Sequence, residues 1–414
     1  MFTSFNTALS ALNAQSTAID VVGNNLANIN TTGFKASTIQ FRDLVAENLG
    51  VGSASTQIGA GVNRPLTFSQ YVQGGVQVTN NPLDAAIQGN GFFVVKNTAG
   101  QSMYTRAGNF HVDPSGYLVT STGEHVQGWT AAGGIANTSG ATGDLQVPAG
   151  TLSAPKATTT MSLDGNLNAV GTATTFSTPI QVVDSLGTAH TLTVTFNKTD
   201  ANKWSYDVTL PGEDLASGAA GTPSKVGSGT LEFDANGQLT APAAGKGEEI
   251  KLAGLSSGAA DQTIAWNLYG TDGTATLTQF AQASGMASTS QDGSFAAEVL
   301  KVSIGDNGAL VAQYSNGEQK TFGQLALASI RNPESLVSVG NSNLALGADS
   351  AAAVIGAADT GGRGKILGES VEASTVDIAH EFTNLIVYQR GYQANSKVIT
   401  TTDELTQETL NLKR

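Results

Sequence analysis

FTSFNTALSALNAQSTAIDVVGNNLANINTTGFK, residues 2–35, reads as a helix followed by the signals that stop one. Apolar side chains fall at Phe2, Phe5, Leu9, Leu12, Ile19, Val22 and Leu26, and Phe5, Leu12, Ile19 and Leu26 share one position of a seven-residue repeat, the spacing of an amphipathic helix face. Asn28-Ile29-Asn30-Thr31-Thr32 and then Gly33 follow. Short polar side chains compete for the backbone's hydrogen bonds and glycine accepts positive φ, so the helix is expected to end near Asn28.

The other terminus has a matching pattern. Ser374 and Asp377 have the spacing of a capping box, after which Ile378, Leu385, Tyr392 and Ile399 recur every seven residues and Val398, Leu405 and Leu412 form an adjacent stripe. This predicts a second long helix running nearly to Arg414. Gly391 inside it costs about 1 kcal/mol relative to alanine, so a close-packed neighbour is expected there. An apolar stripe is more often one face of an ordinary core than an oligomer seam. These two stripes, however, lie at the extreme ends, and pairing the helices within one chain covers only one face of each. Burying a Leu or Ile is worth about 1.5–3 kcal/mol, so residues left in water on the remaining faces favour association.

Inward from the ends the period changes to two, as in Leu192-Thr-Val194-Thr-Phe196, Trp204-Ser-Tyr206-Asp-Val208-Thr-Leu210 and Leu300-Lys-Val302-Ser-Ile304. These are half-buried strands. Asp113-Pro114-Ser115-Gly116 and Asp306-Asn307-Gly308 carry turn chemistry between them, which predicts an antiparallel β middle. Stretches rich in small residues near 131–143 and 351–364 read as surface loops, and Pro155-Lys156-Ala157-Thr158-Thr159-Thr160 reads as a crossing between domains.

Composition excludes several functions. Lys and Arg number 20 against 33 Asp and Glu and form no run, so nucleic acid is a poor partner. Cysteine is absent, which leaves packing alone to stabilise the fold. Charged residues are 13% of the chain, well under the roughly 25% of an average protein; such a surface repels its own copies little. No basic residue precedes Lys35 and no long apolar run follows Met1, so neither a cleaved secretory signal nor membrane insertion is expected.

Catalytic patterns are also missing. His111, His125, His190 and His380 have no paired metal-ligand spacing, and no G-x-S-x-G surrounds a serine, so exposed or strand-surface imidazoles are expected. Gly364-Lys365 and Gly245-Lys246 resemble the end of a phosphate-binding loop, but Ile366 and Gly247 stand where Ser or Thr should be. Asp234-Ala-Asn236-Gly237 suits a hairpin turn better than a calcium loop, which needs more oxygen ligands and a terminal Glu. No cofactor, no metal and no enzymatic activity are expected. A cell-surface adhesin or glycan-binding β protein would want clustered aromatics, and Trp129, Trp204 and Trp266 are scattered.

The segment from Gly23 to Lys35, with Asn24, Asn25, Ala27, Asn28, Gly33, Phe34 and Lys35 as its distinctive residues, resembles the N-terminal signature of the bacterial flagellar rod and hook protein family. Gly89-Asn90-Gly91-Phe92-Phe93 and Tyr104-Thr105-Arg106-Ala107-Gly108-Asn109-Phe110 are similar to that family's first β segment. Glu372-Ala-Ser374-Thr-Val-Asp377 and Tyr388-Gln389-Arg390-Gly391-Tyr392-Gln393-Ala394-Asn395 are similar to its C-terminal helix. Rod members are shorter, whereas hook members carry an extra β domain, so the length of this chain favours a hook subunit over a distal rod subunit.

The resemblance implies a mostly β fold with α-helical termini: a coiled-coil-like inner domain from 1–35 and 371–414, a connecting segment 36–70, and two antiparallel β domains built from discontinuous segments. These are an inner one from 71–147 and 283–370 and an inserted outer one at 148–282. It also implies a subunit exported through the flagellar type III apparatus and polymerised outside the cell into a curved tube that joins rod to filament. Its partners would be its own copies and the rod, hook cap and hook–filament junction proteins. Phe5, Leu9, Leu12, Ile19 and Leu26, packing with Ile378, Leu385, Tyr392 and Ile399, are the expected subunit interface.

Overall fold

The computed structural model describes residues 2–44, 47–49, 56–148, 150, 152–171 and 174–412. The side chains of Phe2 and Leu412, the outer ends of the two stripes, lie outside the described residues, as do 45, 46 and 50–55 of the connecting segment. The chain is mostly β, with a helix at each end: α1, Phe2–Ala27, and α2, Ile378–Leu412. It divides into two compact units, one made of 1–149, 301–313 and 319–414, the other of 150–300 and 314–318.

In the first unit α1 and α2 pack together, and both ends of the chain are laddered into the same β structure. Val76–Val78 pairs with Ser370–Glu372, and Ala85–Gln88 with Lys365–Gly368, both antiparallel, so the strands leading to α2 close on strands from the first quarter of the sequence. The larger sheet runs, in spatial order, through Gln319–Leu325, His125–Ala132, Phe92–Lys96, Ser102–Thr105, Asn343–Ala345 and Val337–Gly340. Phe92 and Phe93 point to opposite faces, and both faces are covered: Phe93 packs with Phe110, Leu118, Leu145 and Leu325, and Phe92 with Tyr104, Trp129 and Ile330. Two-sided burial explains why the run Phe92-Phe-Val-Val95 is apolar throughout and does not alternate.

The second unit is a sandwich. Five strands, Thr175–Val183, Ala189–Asp200, Lys203–Leu210, Ser224–Phe233 and Leu239–Ala241, follow one another as an antiparallel meander. Their inward residues share one core with Met161, Leu163, Ile250, Ile264 and Trp266 of a second sheet. Trp266 sits edge-on to Tyr206 at 4.9 Å and to Phe196 at 6.0 Å, the arrangement that ring quadrupoles favour.

One expectation of topology fails in that second sheet. Thr160–Asn168 pairs parallel with Gln262–Asn267 and with Leu277–Phe280, and only Gly285–Gln291 pairs with it antiparallel. Alternation along a strand reports which face is buried and carries nothing about the direction of a partner a hundred residues away. The loop readings need correction too, because 131–143 contains the hairpin strand Ile135–Ala136 and 351–364 contains Val354–Gly356.

The turns form as their residues dictate. Asp113 Oδ1 accepts from the backbone of Ser115 and Tyr117, Asp234 Oδ1 accepts from that of Asn236 and Gln238, and Asn307 takes positive φ at 61°.

Candidate functional site

The two helices run antiparallel. Asn25 near the end of α1 donates to Glu381 near the start of α2 at 2.9 Å, and Gln15 lies against Gly391. A Cβ at Gly391 would come within 2.8 Å of the Gln15 side chain, which is the close neighbour the glycine called for. The start of α2 differs from the capping-box reading. Asp377 is itself the N-cap, its Oδ1 accepting from His380 N at 3.0 Å, while Ser374 makes only a local bond to Val376 N. At α2's far end residues 403–411 are exposed on every side.

The buried face of α1 is Ala8, Ala14, Ala18, Val22 and Asn25. It faces the half-buried or buried Glu381, Leu385, Tyr388, Gly391, Asn395 and Ile399 of α2. The seven-residue stripe, expected at the interface between subunits, lies largely beside this seam. Phe5 and Leu9 are exposed, and Leu12, Ile19 and Leu26 are half-buried; Ile378 and Tyr392 are exposed, and Leu385 and Ile399 half-buried. A straight helix has 3.6 residues per turn, so a strict seven-residue stripe drifts about 20° per heptad and winds away from a straight seam. The alanine face allows the closer approach and takes the contact.

The motif residues that follow α1 build its root. Asn25, 1% exposed, donates to Ser37 O at 2.8 Å and accepts from Ser37 N at 3.0 Å, so one side chain ties α1 to the connecting segment and to α2. Asn28 caps the end of α1 by donating to Asn24 O and accepting from the Thr31 hydroxyl. Asn24 and Ala27 are exposed. Gly33 has φ 69° and lies so close to Arg106 and Ala107 that a Cβ would sit 2.5 Å from Ala107 N, so only glycine fits. Phe34 is half-buried, and its carbonyl accepts from Thr375 N.

Lys35 turns inward to the buried Glu372, its Nζ 2.6 Å from Oε1 and 2.6 Å from Val72 O. Glu372 Oε2 takes Arg106 Nη1 at 3.1 Å, and Gly74 N donates to Oε1 at 2.7 Å. Arg106 also reaches Gly89 O at 2.8 Å and lies over the Phe92 ring at 5.3 Å. Burial holds both Lys35 and Arg106 below their ordinary values, against the pull of Glu372. Four segments far apart in sequence thus meet on one carboxylate. Lys35, Arg106 and Glu372 all lay in motifs visible in the sequence, but nothing there indicated that they touch.

Among the described residues no three His, Asp or Glu side chains are grouped to hold a metal, and no helix is long and apolar enough to cross a membrane. Trp129, Trp204 and Trp266 are buried in the cores. Lys365 begins a strand and opens no helix. His190 corrects the expectation of surface imidazoles, being buried between Asp184 and Asp214 at 3.1 Å from each. It lies on the inward side of its strand with Leu192, Val194 and Phe196, a placement the alternation contained. Ser257 donates to Asp184 at 2.6 Å, so serine and histidine share a carboxylate and no nucleophile–base pair is formed.

Comparison with known proteins gives these features a context. Residues 5–35 match the model of the flagella basal body rod protein, and 86–169 that of the flagellar hook protein FlgE/F/G D1 domain. Residues 151–294 match the flagellar basal body protein FlaE D2 domain, and 368–412 the flagellar basal body rod FlgEFG protein C-terminal model. The flagellar hook protein FlgE of Salmonella typhimurium is 33% identical over 99% of this chain and 100% of its own length. That of Treponema pallidum is 33% identical over the whole of both. The crystal structure of Helicobacter pylori flagellar hook protein FlgE2 covers 72% of this chain and 100% of its own with a TM-score of 0.53 at 15% identity, a likeness of fold. Matched from end to end by such relatives, this chain belongs to the flagellar hook protein family and is a structural subunit of the bacterial flagellar hook.

Proposed function

We propose that copies of this chain associate through the faces of α1 and α2 that point away from their mutual seam, forming the curved tube that transmits torque from rod to filament, and that the chain catalyses nothing. The observation that carries this reading is apolar exposure on the helix pair. Phe5 and Leu9 of α1 are 38% and 43% exposed, and Ile378, Phe382 and Ile386 of α2, at four-residue spacing on one ridge, are 51%, 51% and 57% exposed. Val387, Tyr392, Val398, Leu405 and Leu410 extend the same property along the helix. A 35-residue helix is about 52 Å long, and a single partner of 26 residues leaves most of its circumference wet. Copies of the same helices supply the cover. Leu12, Ile19, Leu26, Leu385 and Ile399, half-buried already, would complete the contact from the flanks.

The finer assignments rest on the family's role. The neighbours would be the rod, the hook cap and the hook–filament junction proteins. The chain would reach them through the type III export apparatus, without a cleaved signal, and work outside the cell. The second unit, with a core of its own, would meet neighbouring copies through small contacts that exchange as the joint bends.

The test is to concentrate the full-length chain beside the double variant Leu9→Asp, Phe382→Asp and image both by electron microscopy. Tubes from the natural sequence alone support the helix faces as the polymerising surface. Tubes of equal number from the double variant would place the polymer contacts elsewhere.

A further inference from the structure

Lys35 and Arg106 share a single carboxylate. All three side chains, Lys35, Arg106 and Glu372, are more than nine-tenths buried, so two cations are set against one anion where solvent screens little. Burial depresses both cations despite Glu372, the sign of incomplete compensation. Arg106 spends Nη1 on Glu372 and Ile87 O and Nη2 on Gly89 O, but its buried Nε–H meets no acceptor among the described residues. Glu381 accepts from Asn25, and Glu334, exposed, acts on Tyr71.

Both cations line one cavity of about 150 Å³. Its other polar lining residues are Asn24, Ser37, Ser69, Tyr71, Ser338 and Ser342, and no acidic residue is among the described lining residues. The Ser37 and Ser69 hydroxyls, both on lining residues, stand 3.4 Å apart across the paired strands. The cavity shares Asn24, Phe34, Ser338 and Ser342 with a wider polar cleft of about 500 Å³, which gives it a way to solvent. Two cations, an unspent N–H and a ring of hydroxyls are the donor set of an anion site, with volume for one small oxyanion and little more.

We propose that this cavity binds one small oxyanion, a carboxylate or a phosphate, between Lys35 and Arg106. The bound anion supplies the missing negative charge at the root of the helix pair, where motif residues from both ends of the chain meet. Its source is either a free ion or an acidic side chain of a second copy; the chemistry is the same.

The Arg106 Nε–H resonance of the full-length monomer reports on the site directly. It is followed while formate, acetate or inorganic phosphate replaces a bulky organic sulfonate at constant ionic strength, with the melting temperature measured in parallel. A saturable shift of that resonance, together with a rise in melting temperature, is expected. Ser69→Leu, which fills the cavity and leaves the ion pairs untouched, should weaken both responses at least tenfold. No saturable response in the natural sequence to any of the three anions overturns the proposal, whether or not Ser69→Leu folds. A response undiminished in a folded Ser69→Leu chain overturns it as well. Equal binding by monomer and assembled tubes identifies a free ion as the occupant, and binding lost on assembly identifies a neighbour's carboxylate.

Discussion

The second unit gathers its largest aromatic side chains into one closed core, whereas the helix pair of the first leaves many of its large apolar side chains in water. Trp204, Trp266, Phe196 and Leu192 are fully buried in one continuous core, while Phe382, Ile386, Val387 and Leu405 are more than half exposed on a helix of the same chain. The two regions are built for different ends. A core that satisfies itself makes a domain that holds its shape alone. A helix pair whose seam is rich in small residues, with Phe5, Leu9, Phe382 and Leu405 outside it, leaves apolar area for other copies.

The largest expected effect separates folding from assembly. Leu9→Asp with Phe382→Asp should abolish tube formation while moving the monomer's unfolding free energy by no more than about 1 kcal/mol, because exposed positions carry little of it, about 0.5 kcal/mol each. Calorimetry and sedimentation on one sample check both halves. Matched losses of stability and assembly would show that these residues belong to the monomer's own core.

Trp204→Ala makes the converse cut. It empties the centre of the sandwich and removes the bond from its Nε1 to Gln279 Oε1, so the second unit should lose about 4 kcal/mol. Its calorimetric transition should fall while that of the first unit stays put; a shift of both would erase the energetic distinction between them. Glu372→Gln tests the root of the helices. It leaves Lys35 and Arg106 buried without their carboxylate, at a cost of about 3 kcal/mol to the first unit, the lower part of the usual range because Gln can still accept from Gly74 N.

The smallest effect is one of pH. Burial pushes Asp184 up, but the hydrogen bonds from Ser257, Thr188 N, His190 and Leu186 N outweigh it and hold the carboxyl at about 2, against 3.8 when free. A depressed folded value means stability that is fully present above about 3.8 and lost as pH falls towards 2, on the order of 2 kcal/mol and confined to the second unit. Acid titration of the natural sequence and Asp184→Asn should converge below pH 2, and parallel curves would remove Asp184 as the cause.

Much of the fold was legible because it is written in local periods. The seven-residue spacing marked α1 and α2, alternation marked Ala189–Asp200 and Lys203–Leu210, and Asp-x-x-Gly marked the turns. Where reading by period failed, the reason was geometric. The stripe from Phe5 to Leu26 marks a helix but does not say which face meets α2 of the same chain; the small side chains of Ala8, Ala14 and Ala18 put their own face there. Ser374 has the right chemistry for a cap, yet Asp377 took the position because the chain before it is still held extended, with Glu372 in its ladder to Val76 and Ala373 N bonded to Gly75 O.

What the sequence by itself determined is therefore the kind of element at each place, the two helical ends, and the family, since these depend on near neighbours along the chain. Only the tertiary structure decided which residues meet. Lys35 and Glu372 are 337 positions apart, Asn25 and Glu381 356, and Thr160–Asn168 finds its parallel partners a hundred residues on. The enclosed volume decides whether a charged side chain there is solvated, paired or left wanting an anion, and that volume exists only once the distant segments have closed around it.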